Sequence, residues 1–396
     1  MSNGMLQGTL TVELGWTRAA AFTAKLIADA GGSVVTLEDE SRRTALTDEA
    51  RMFLDPHKDV VAFVEDQDTV VLEELIPFAD LLVTDLPEEE LARRGFDWDA
   101  IRALNPSISY VRLSAVGGRP GGGPGAAGPD TAALDTSGSP GELTMQALSG
   151  LMEMVGDPQR EPLALPYGIG SLQLGLHGAA AGTAAMYTAA RSGQGRLVEI
   201  AGAEVLASYV RIYGAVASYY GIPLQRDGRR APGSGGRYPF GIFPCRDGYV
   251  AMICRSDREW TSLLGMMGNP EWSTRDRYRD LYAIAMEYPD EVDELIAPWL
   301  IEHTRDQLLD LAQEFAIPVA PVRSVAEVLE DAQLRDHRSF FDILQNDDGD
   351  TIQVPGRPWA SQERRTTLSN PGSLDDVLQH RPASSQQLVL TKTEAS

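Results

Sequence analysis

The sequence predicts an α/β fold, a parallel sheet covered by helices, together with a second, smaller α+β domain. Three observations carry this. In the first part of the chain, short β-rich runs alternate with helical patterns, the order that builds parallel sheets. Two Gly- and Pro-dense stretches, at 117–129 and 232–236, interrupt the pattern. A length of 396 residues at 43% hydrophobic content also supplies apolar side chains for more than one core.

The elements follow in order. A strand is expected at 9–14 and a helix at 18–30, closed by Gly31-Gly32 as a helix C-terminus prefers. Strands follow at 34–37 and 80–86, then one helix over 88–104 that starts near Pro87 and is ended by Asn105-Pro106, then a strand at 108–113. The run GGRPGGGPGAAGP at 117–129 reads as a surface loop, because no Gly-Lys-Ser/Thr follows to make it a phosphate loop. Helical pattern returns at 145–154 and 172–191, where Gly175, Gly178, Ala179 and Gly182 form a face of small residues on which another backbone can lie close. Beyond 232–236, the turn Arg246-Asp247-Gly248 leads into a strand at 249–253 and helices at 260–267, 290–302 and 305–315. Residues from 222 to roughly 318 thus read as the second domain, and the chain ends in a polar tail from 361.

Charge and composition exclude several functions. With 34 Lys and Arg against 57 Asp and Glu, the net charge of −23 opposes a broad footprint on nucleic acid or anionic lipid, so an anionic ligand needs a local basic pocket. Cys245 and Cys254 are too few for a disulfide framework, the start carries no leader pattern, and no run of 18 apolar residues occurs, so a reducing, cytoplasmic setting is expected. The five histidines show no HExxH and no i,i+4 pair, which leaves a metal site without support. Gly15-Trp16-Thr17-Arg18 places bulky side chains where a dinucleotide pyrophosphate needs bare backbone, so a nicotinamide oxidoreductase is not expected. Ser234 lacks the strand and helix of a nucleophile elbow. Two arginine pairs, Arg42-Arg43 and Arg93-Arg94, follow strands where ligands of open α/β sheets bind, and read either as phosphate clamps or as solvated surface charge.

Six segments in order, AAFTAKLIADAGGSVVTLEDESRR (20–43), ADLLVTDLPEEELARRGFDWDAIRALNPSISYVRLSAVG (79–117), QALSGLMEMVGDP (146–158), RSGQGRLVEIAGAEVL (191–206), DGYVAMI (247–253) and IPVAPVRSVAEVLEDAQL (317–334), carry a resemblance over nearly the whole length. The chain resembles the family III CoA-transferases, the group that includes formyl-CoA transferase, carnitine CoA-transferase and α-methylacyl-CoA racemase. The resemblance implies a Rossmann-like large domain built from both chain ends (1–221 and 330–396), a small α+β domain (222–329), and an interlocked dimer with CoA in the cleft. It assigns CoA contacts to Arg42 or Arg43, to Asp85 and Leu86 in place of the usual Asn-Phe pair, to Arg94, and to the glycine loop ending at Gly235 and Gly236. An aspartate at 85 beside a polyanion calls for neutralisation by Arg93 or Arg94.

One position departs from the family. Its members start a helix with D-x-x-x-G, whose Asp attacks the thioester; here the segment reads Ser171-Leu-Gln-Leu-Gly175. A serine ester is too unactivated for CoA to displace, and the hydroxyl needs a base that His177, about 240° around the helix, does not provide. As a structural residue, Ser171 reads as the helix N-cap. The racemase pair, a His before an acid, is Gly141-Glu142; Glu142 matches a glutamate of formyl-CoA-transferase-like members and otherwise reads as a polar loop residue. The expected function is therefore an acyl-CoA:carboxylate CoA-transferase without a metal, as a homodimer or heteromer, whose nucleophile is Glu142 or comes from an Asp-bearing partner. The alternative is a non-catalytic acyl-CoA-binding or scaffolding subunit paired with such a homologue, with acyl-CoA racemase behind both.

Overall fold

The computed structural model describes residues 4–39, 45–64, 68–117, 141–166, 168–231, 236–337, 340–345 and 351–359. The chain divides into two compact units. The first comprises Met1–Leu151, Ala164–Val210 and Gln333–Ser396; the second comprises Met152–Leu163 and Arg211–Ala332. Residues 152–163 and 211–221, expected in the larger domain, fall in the second unit.

The first unit is built on six parallel strands: β1 (Leu10–Leu14), β2 (Ser33–Glu38), β3 (Asp59–Ala62), β4 (Leu81–Thr84), β5 (Ser109–Ser114) and β6 (Leu197–Ala201), in spatial order β3-β2-β1-β4-β5-β6. Leu10, Val12, Leu14, Leu82, Val83 and Val111 are all fully buried, as a sheet covered on both faces requires. Helix α1 (Arg18–Asp29) is capped by Thr17, whose hydroxyl accepts from the Ala19 N–H at 3.1 Å, and is closed by Gly31 at φ +90°. Further along lies α2 (Asp48–Leu54). The single helix expected over 88–104 is two, α3 (Glu88–Arg94) and α4 (Trp98–Leu104), because Gly95 adopts φ +76° and Asp97 recaps the chain. The pattern expected at 145–154 forms α5 (Glu142–Leu148) and a separate short turn at Met152–Met154. The loop at 117–129 lies, beyond its first residue, outside the described residues.

Helix α6 (Ile169–Ser192) lays its small-residue face against α1 and the sheet. A Cβ on Gly175 would stand 2.6 Å from the Ala19 carbonyl, one on Gly178 2.5 Å from Thr23 Oγ1, and one on Gly182 3.2 Å from Leu81 and Val111. Thr23 Oγ1 spans the contact, at 2.9 Å from both the Ala19 and Gly175 carbonyls. The glycine face expected from the sequence is thus used for close backbone approach, and it fixes where the N-terminus of α6 points. Beneath the sheet, Lys58 Nζ donates to Glu13 at 2.9 Å and to the Ala21 carbonyl at 2.8 Å, while Thr36 donates to the same Glu13 oxygen at 2.7 Å. Both charged side chains have no solvent exposure. After β6 comes α7 (Gly202–Ala207).

The second unit starts with α8 (Arg211–Tyr220), a helix with no buried residue, whose Ile212, Tyr219 and Tyr220 are 63%, 85% and 75% exposed. Its sheet is antiparallel, β7 (Phe240–Cys245), β8 (Gly248–Ile253) and β9 (Val319–Pro321) in that order. It is packed by α9 (Asp257–Met266), α10 (Leu281–Glu287), α11 (Pro289–Ile301) and α12 (Arg305–Glu314) around Phe243, Val250, Trp260, Ile284 and Ile296. Buried Asp293 accepts from Tyr238, Arg229 and Arg230 at 2.6–2.7 Å. The hairpin β10 (Phe341–Gln345) and β11 (Thr351–Pro355) returns to the first unit, where Arg357 reaches the Asp29 carbonyl at 3.2 Å. No helix among the described residues is long and apolar enough to cross a membrane.

Candidate active site

In a sheet ordered 3-2-1-4-5-6, the crevice for ligands opens where β1 and β4 diverge. The turn after β1, Gly15 to Arg18, meets the segment after β4 there. Asp85 accepts from the Trp16 N–H at 2.7 Å, from the Thr17 N–H at 3.0 Å and from the Thr17 hydroxyl. Gly15 leaves room for this, since a Cβ would stand 2.4 Å from Ala20 Cβ and 3.1 Å from Asp85. The amides that a phosphate takes in dinucleotide folds are thus satisfied by a carboxylate of the chain itself.

This corrects the expectation that Arg93 or Arg94 neutralises Asp85. Arg93 binds Glu90 at 3.0 Å. Arg94 forms a fork on Asp68 at 3.0 and 2.7 Å, lies 3.5 Å from Asp39, packs over Phe63 and Phe96, and is only 2% exposed at its side chain. Asp39 in turn accepts from the Trp16 indole N–H at 3.2 Å. Arg94 is therefore connected to the crevice through Asp39 and Trp16. Leu86 is 3% exposed within the core of the first unit. Gly236, at φ +71° against Tyr282, lies in the second unit; Gly235, Arg42 and Arg43 lie outside the described residues.

Burial pushes the Asp85 carboxyl above its usual range, and the hydrogen bonds from Thr17 and from the Trp16 and Thr17 amides only partly offset this. A folded-state pKa above the unfolded value means that the contribution to stability is present below the unfolded pKa and is lost as pH rises through the folded one. Asp85→Asn keeps an acceptor for the amides and carries no charge. Urea unfolding across pH is expected to show the variant gaining on the parent as pH rises above the usual aspartate range; a parallel pH dependence of the two would contradict it.

Glu142, the first residue of α5, reaches the start of α6. Its Oε1 accepts from the Gly170 N–H at 2.6 Å and from Gln146 Nε2 at 2.8 Å; its Oε2 accepts from the Ser171 N–H at 2.8 Å and from Ser171 Oγ at 2.7 Å. Gln146 is held by the Leu165 N–H, 2.7 Å from its carbonyl oxygen. Ser171 is not the N-cap that the sequence suggested. Gly168, at φ +93°, holds that place, Ser171 is the third helical residue, and the anion at this helix start is Glu142 rather than a polar loop residue's solvated charge. His177 bonds the Gln173 carbonyl at 2.9 Å and packs edge-on to Tyr209.

A cleft of about 460 Å³ opens beside this contact, lined by Trp16, Thr17, Arg18, Leu46, Glu142, Leu143, Gln146, Leu165 and Ser171 among others. Among the described residues lining it, Glu142 is the one acid and Arg18 the one base. The structure thus brings Ser171 and Glu142 together and joins Asp85 to the same turn, while Arg94 stays behind it. Among the described residues no group of three or more His, Cys, Asp or Glu is placed to hold a metal ion.

The family model for CoA-transferase family III matches residues 6–372. The chain belongs to CoA-transferase family III. A family III chain of this kind is a CoA-transferase with acyl-CoA as its substrate. It is 26% identical over 360 residues to succinyl-CoA–D-citramalate CoA-transferase of Chloroflexus aurantiacus, covering 87% of this chain and 85% of that one. It is 24% identical over 373 residues to the beta subunit of succinyl-CoA–L-malate CoA-transferase of the same organism, covering 88% and 86%. A CAIB/BAIF family protein from Brucella suis has the same fold, with a TM-score of 0.78, 19% identity and full coverage of both chains.

Within this CoA-transferase, Arg18, Trp16 and Asp39 escaped the sequence reading. The signal is present in Gly15-Trp16-Thr17-Arg18, which fails as a nucleotide loop yet, like any turn after the first strand of such a sheet, lies at the crevice.

Proposed function

We propose that this CoA-transferase chain moves CoA between an acyl-CoA and a carboxylic acid as one subunit of a dimer, with a homologous chain supplying the aspartate that position 171 lacks. The carrying observation is the Glu142 carboxylate. A carboxylate offers about four lone-pair sites, and here four donors occupy it. Among the described residues, the one acid lining the cleft therefore has no lone pair directed at a thioester, which weighs against Glu142 as the nucleophile. Gly141, in place of the racemase histidine, offers no second base for epimerisation, which favours transfer over racemisation.

In this reading CoA is held by Arg42 or Arg43, by the segment carrying Asp85, Leu86 and Arg94, and by the glycine loop at Gly235 and Gly236. The large domain is built from both ends of the chain, the small domain from its middle, and the two chains interlock. The exposed aromatic face of α8 supports a partner chain, since Tyr219 and Tyr220 are otherwise presented to water. Relatives named as alpha and beta subunits support a heteromer in particular. Cys245 and Cys254, free and buried, suit a reducing compartment, and we place the protein in the cytoplasm. Native mass spectrometry of the complex purified from its source is expected to give one copy of this chain with one homologous chain; a dimer of this chain alone would oppose the heteromer.

A further inference from the structure

We propose that Gln146 is a positioning residue for the transfer reaction, a single carboxamide that ties together the segments bordering position 171 and so fixes where a thioester comes to rest; this rests on the CoA-transferase reading. Gln146 is 1% exposed and stands one turn after Glu142 on α5, so the two side chains share a helix face. Its Nε2 donates to Glu142 Oε1 at 2.8 Å, and its side-chain oxygen accepts from the Leu165 N–H at 2.7 Å. Glu142 carries the chain of bonds on to α6, through the Gly170 N–H at 2.6 Å and the Ser171 N–H at 2.8 Å. One side chain therefore links α5, the segment at Leu165 and the first turn of α6.

The link starts from a fixed base. Met145 is fully buried, and a Cβ on Gly202 would collide with its sulfur, so α5 lies close against the start of α7. The Ser149 hydroxyl donates to the Gln146 backbone carbonyl at 2.8 Å and accepts from the Leu151 N–H at 3.2 Å, which closes the end of α5. At the far end Gly170 leaves the room that the contact needs, since a Cβ there would stand 2.8 Å from Glu142 Oε1. A group supported in this way holds its neighbours to a narrow range of positions.

The chemistry explains why a glutamine stands here. The Glu142 carboxylate takes a donor and the Leu165 N–H takes an acceptor, and a carboxamide presents one of each. A carboxylate at 146 offers no donor, and an apolar side chain meets neither group. Leu143, Leu165 and Ser171 line the same cleft. In a transfer between CoA and an acid the reacting atoms meet within about 3–3.5 Å, and a misplacement of about 1 Å costs about a hundredfold. Slack at Leu165 or at the start of α6 is therefore felt at the thioester, while the rest of CoA is held elsewhere.

The test titrates the full chain with succinyl-CoA and with CoA by calorimetry, in the parent and in Gln146→Met, Gln146→Glu and the double variant Glu142→Gln with Gln146→Glu. Gln146→Met, of the same length without the polar ends, is expected to weaken succinyl-CoA binding by at least about tenfold while CoA binding stays in place. Gln146→Glu sets a second carboxylate against Glu142 and should lose as much; the double variant restores a donor opposite an acceptor and should regain part of it. Hydrogen exchange at the Leu165 amide should quicken at least about tenfold in Gln146→Met. Equal losses for succinyl-CoA and CoA, a double variant no better than Gln146→Glu, or unchanged exchange at Leu165 would overturn the proposal. If Gln146→Met does not fold, Gln146→Glu against the double variant decides. A parent that binds neither ligand would sink the CoA reading, and exchange at Leu165 would still show whether Gln146 holds that segment.

Discussion

Ser171→Asp is expected to raise CoA transfer by the isolated chain at least about a hundredfold over the unaltered protein, a part of what a covalent nucleophile contributes. The backbone at 171 is fixed in the first turn of α6 and stays available to a new side chain. An aspartate there would bring its carboxylate against Glu142, whose Oε2 lies 2.7 Å from Ser171 Oγ. Two carboxylates at that distance raise the pKa of one of them, so Glu142 either holds a proton or gives up its contact with residue 171. In both cases it keeps the Gly170 N–H and Gln146 as donors, and one carboxylate turns to the thioester. Ser171→Asn, of the same shape and without the nucleophile, should remain at the parent rate. Hydroxylamine should convert the CoA-activated carboxylate at position 171 to a hydroxamate, with release of CoA, in the Asp variant alone. If the Asp variant stays inactive while still binding acyl-CoA, the missing aspartate is not what limits this chain.

Lys58→Met is expected to cost about 3–5 kcal/mol of stability, because it leaves a charged Glu13 buried without its cation. Lys58 also donates to the Ala21 carbonyl, which loses that donor. The side chains of Lys58 and Glu13 are both fully buried, so water does not replace what is removed. Adding Glu13→Gln to Lys58→Met takes away the uncompensated charge and should recover part of the loss. Urea unfolding of the two variants and the parent measures this directly. A single variant within about 0.5 kcal/mol of the parent, the ordinary range for surface changes, would show that the pair is not load-sharing with the sheet.

The parallel sheet and most of its helices were legible because periodicity reports burial, and β1, β2, β4, β5, α1 and α6 bury the faces that their patterns present. Strand β3 has four residues at the sheet edge, two of them half-buried, too short for a pattern to register. Strand β6 follows a glycine turn in which a Cβ on Gly195 would collide with the Ile108 carbonyl, a constraint set by a distant segment. At the site, Ser171 and Glu142 were found by position along the chain. Their contact was not, because the two residues lie on different helices and 29 positions apart. Arg94 shows the opposite failure. An arginine following a strand reads as a ligand clamp until Asp68 and Asp39, reaching it from other segments, take up its guanidinium. Asp85 fails in the same way: its carboxyl is held by N–H groups of a turn nearly seventy residues earlier, not by the neighbouring arginines.

On the proposed function, this chain builds a CoA-transferase site without carrying the reacting carboxylate. The most direct measurement is transfer by the unaltered chain alone, purified free of homologues, from succinyl-CoA to a second isotopically labelled acid, with acyl-CoA binding followed by calorimetry in the same preparation. Binding without transfer is the result predicted, with transfer appearing when an Asp-bearing homologue is co-expressed. Sustained turnover by the chain on its own would contradict it.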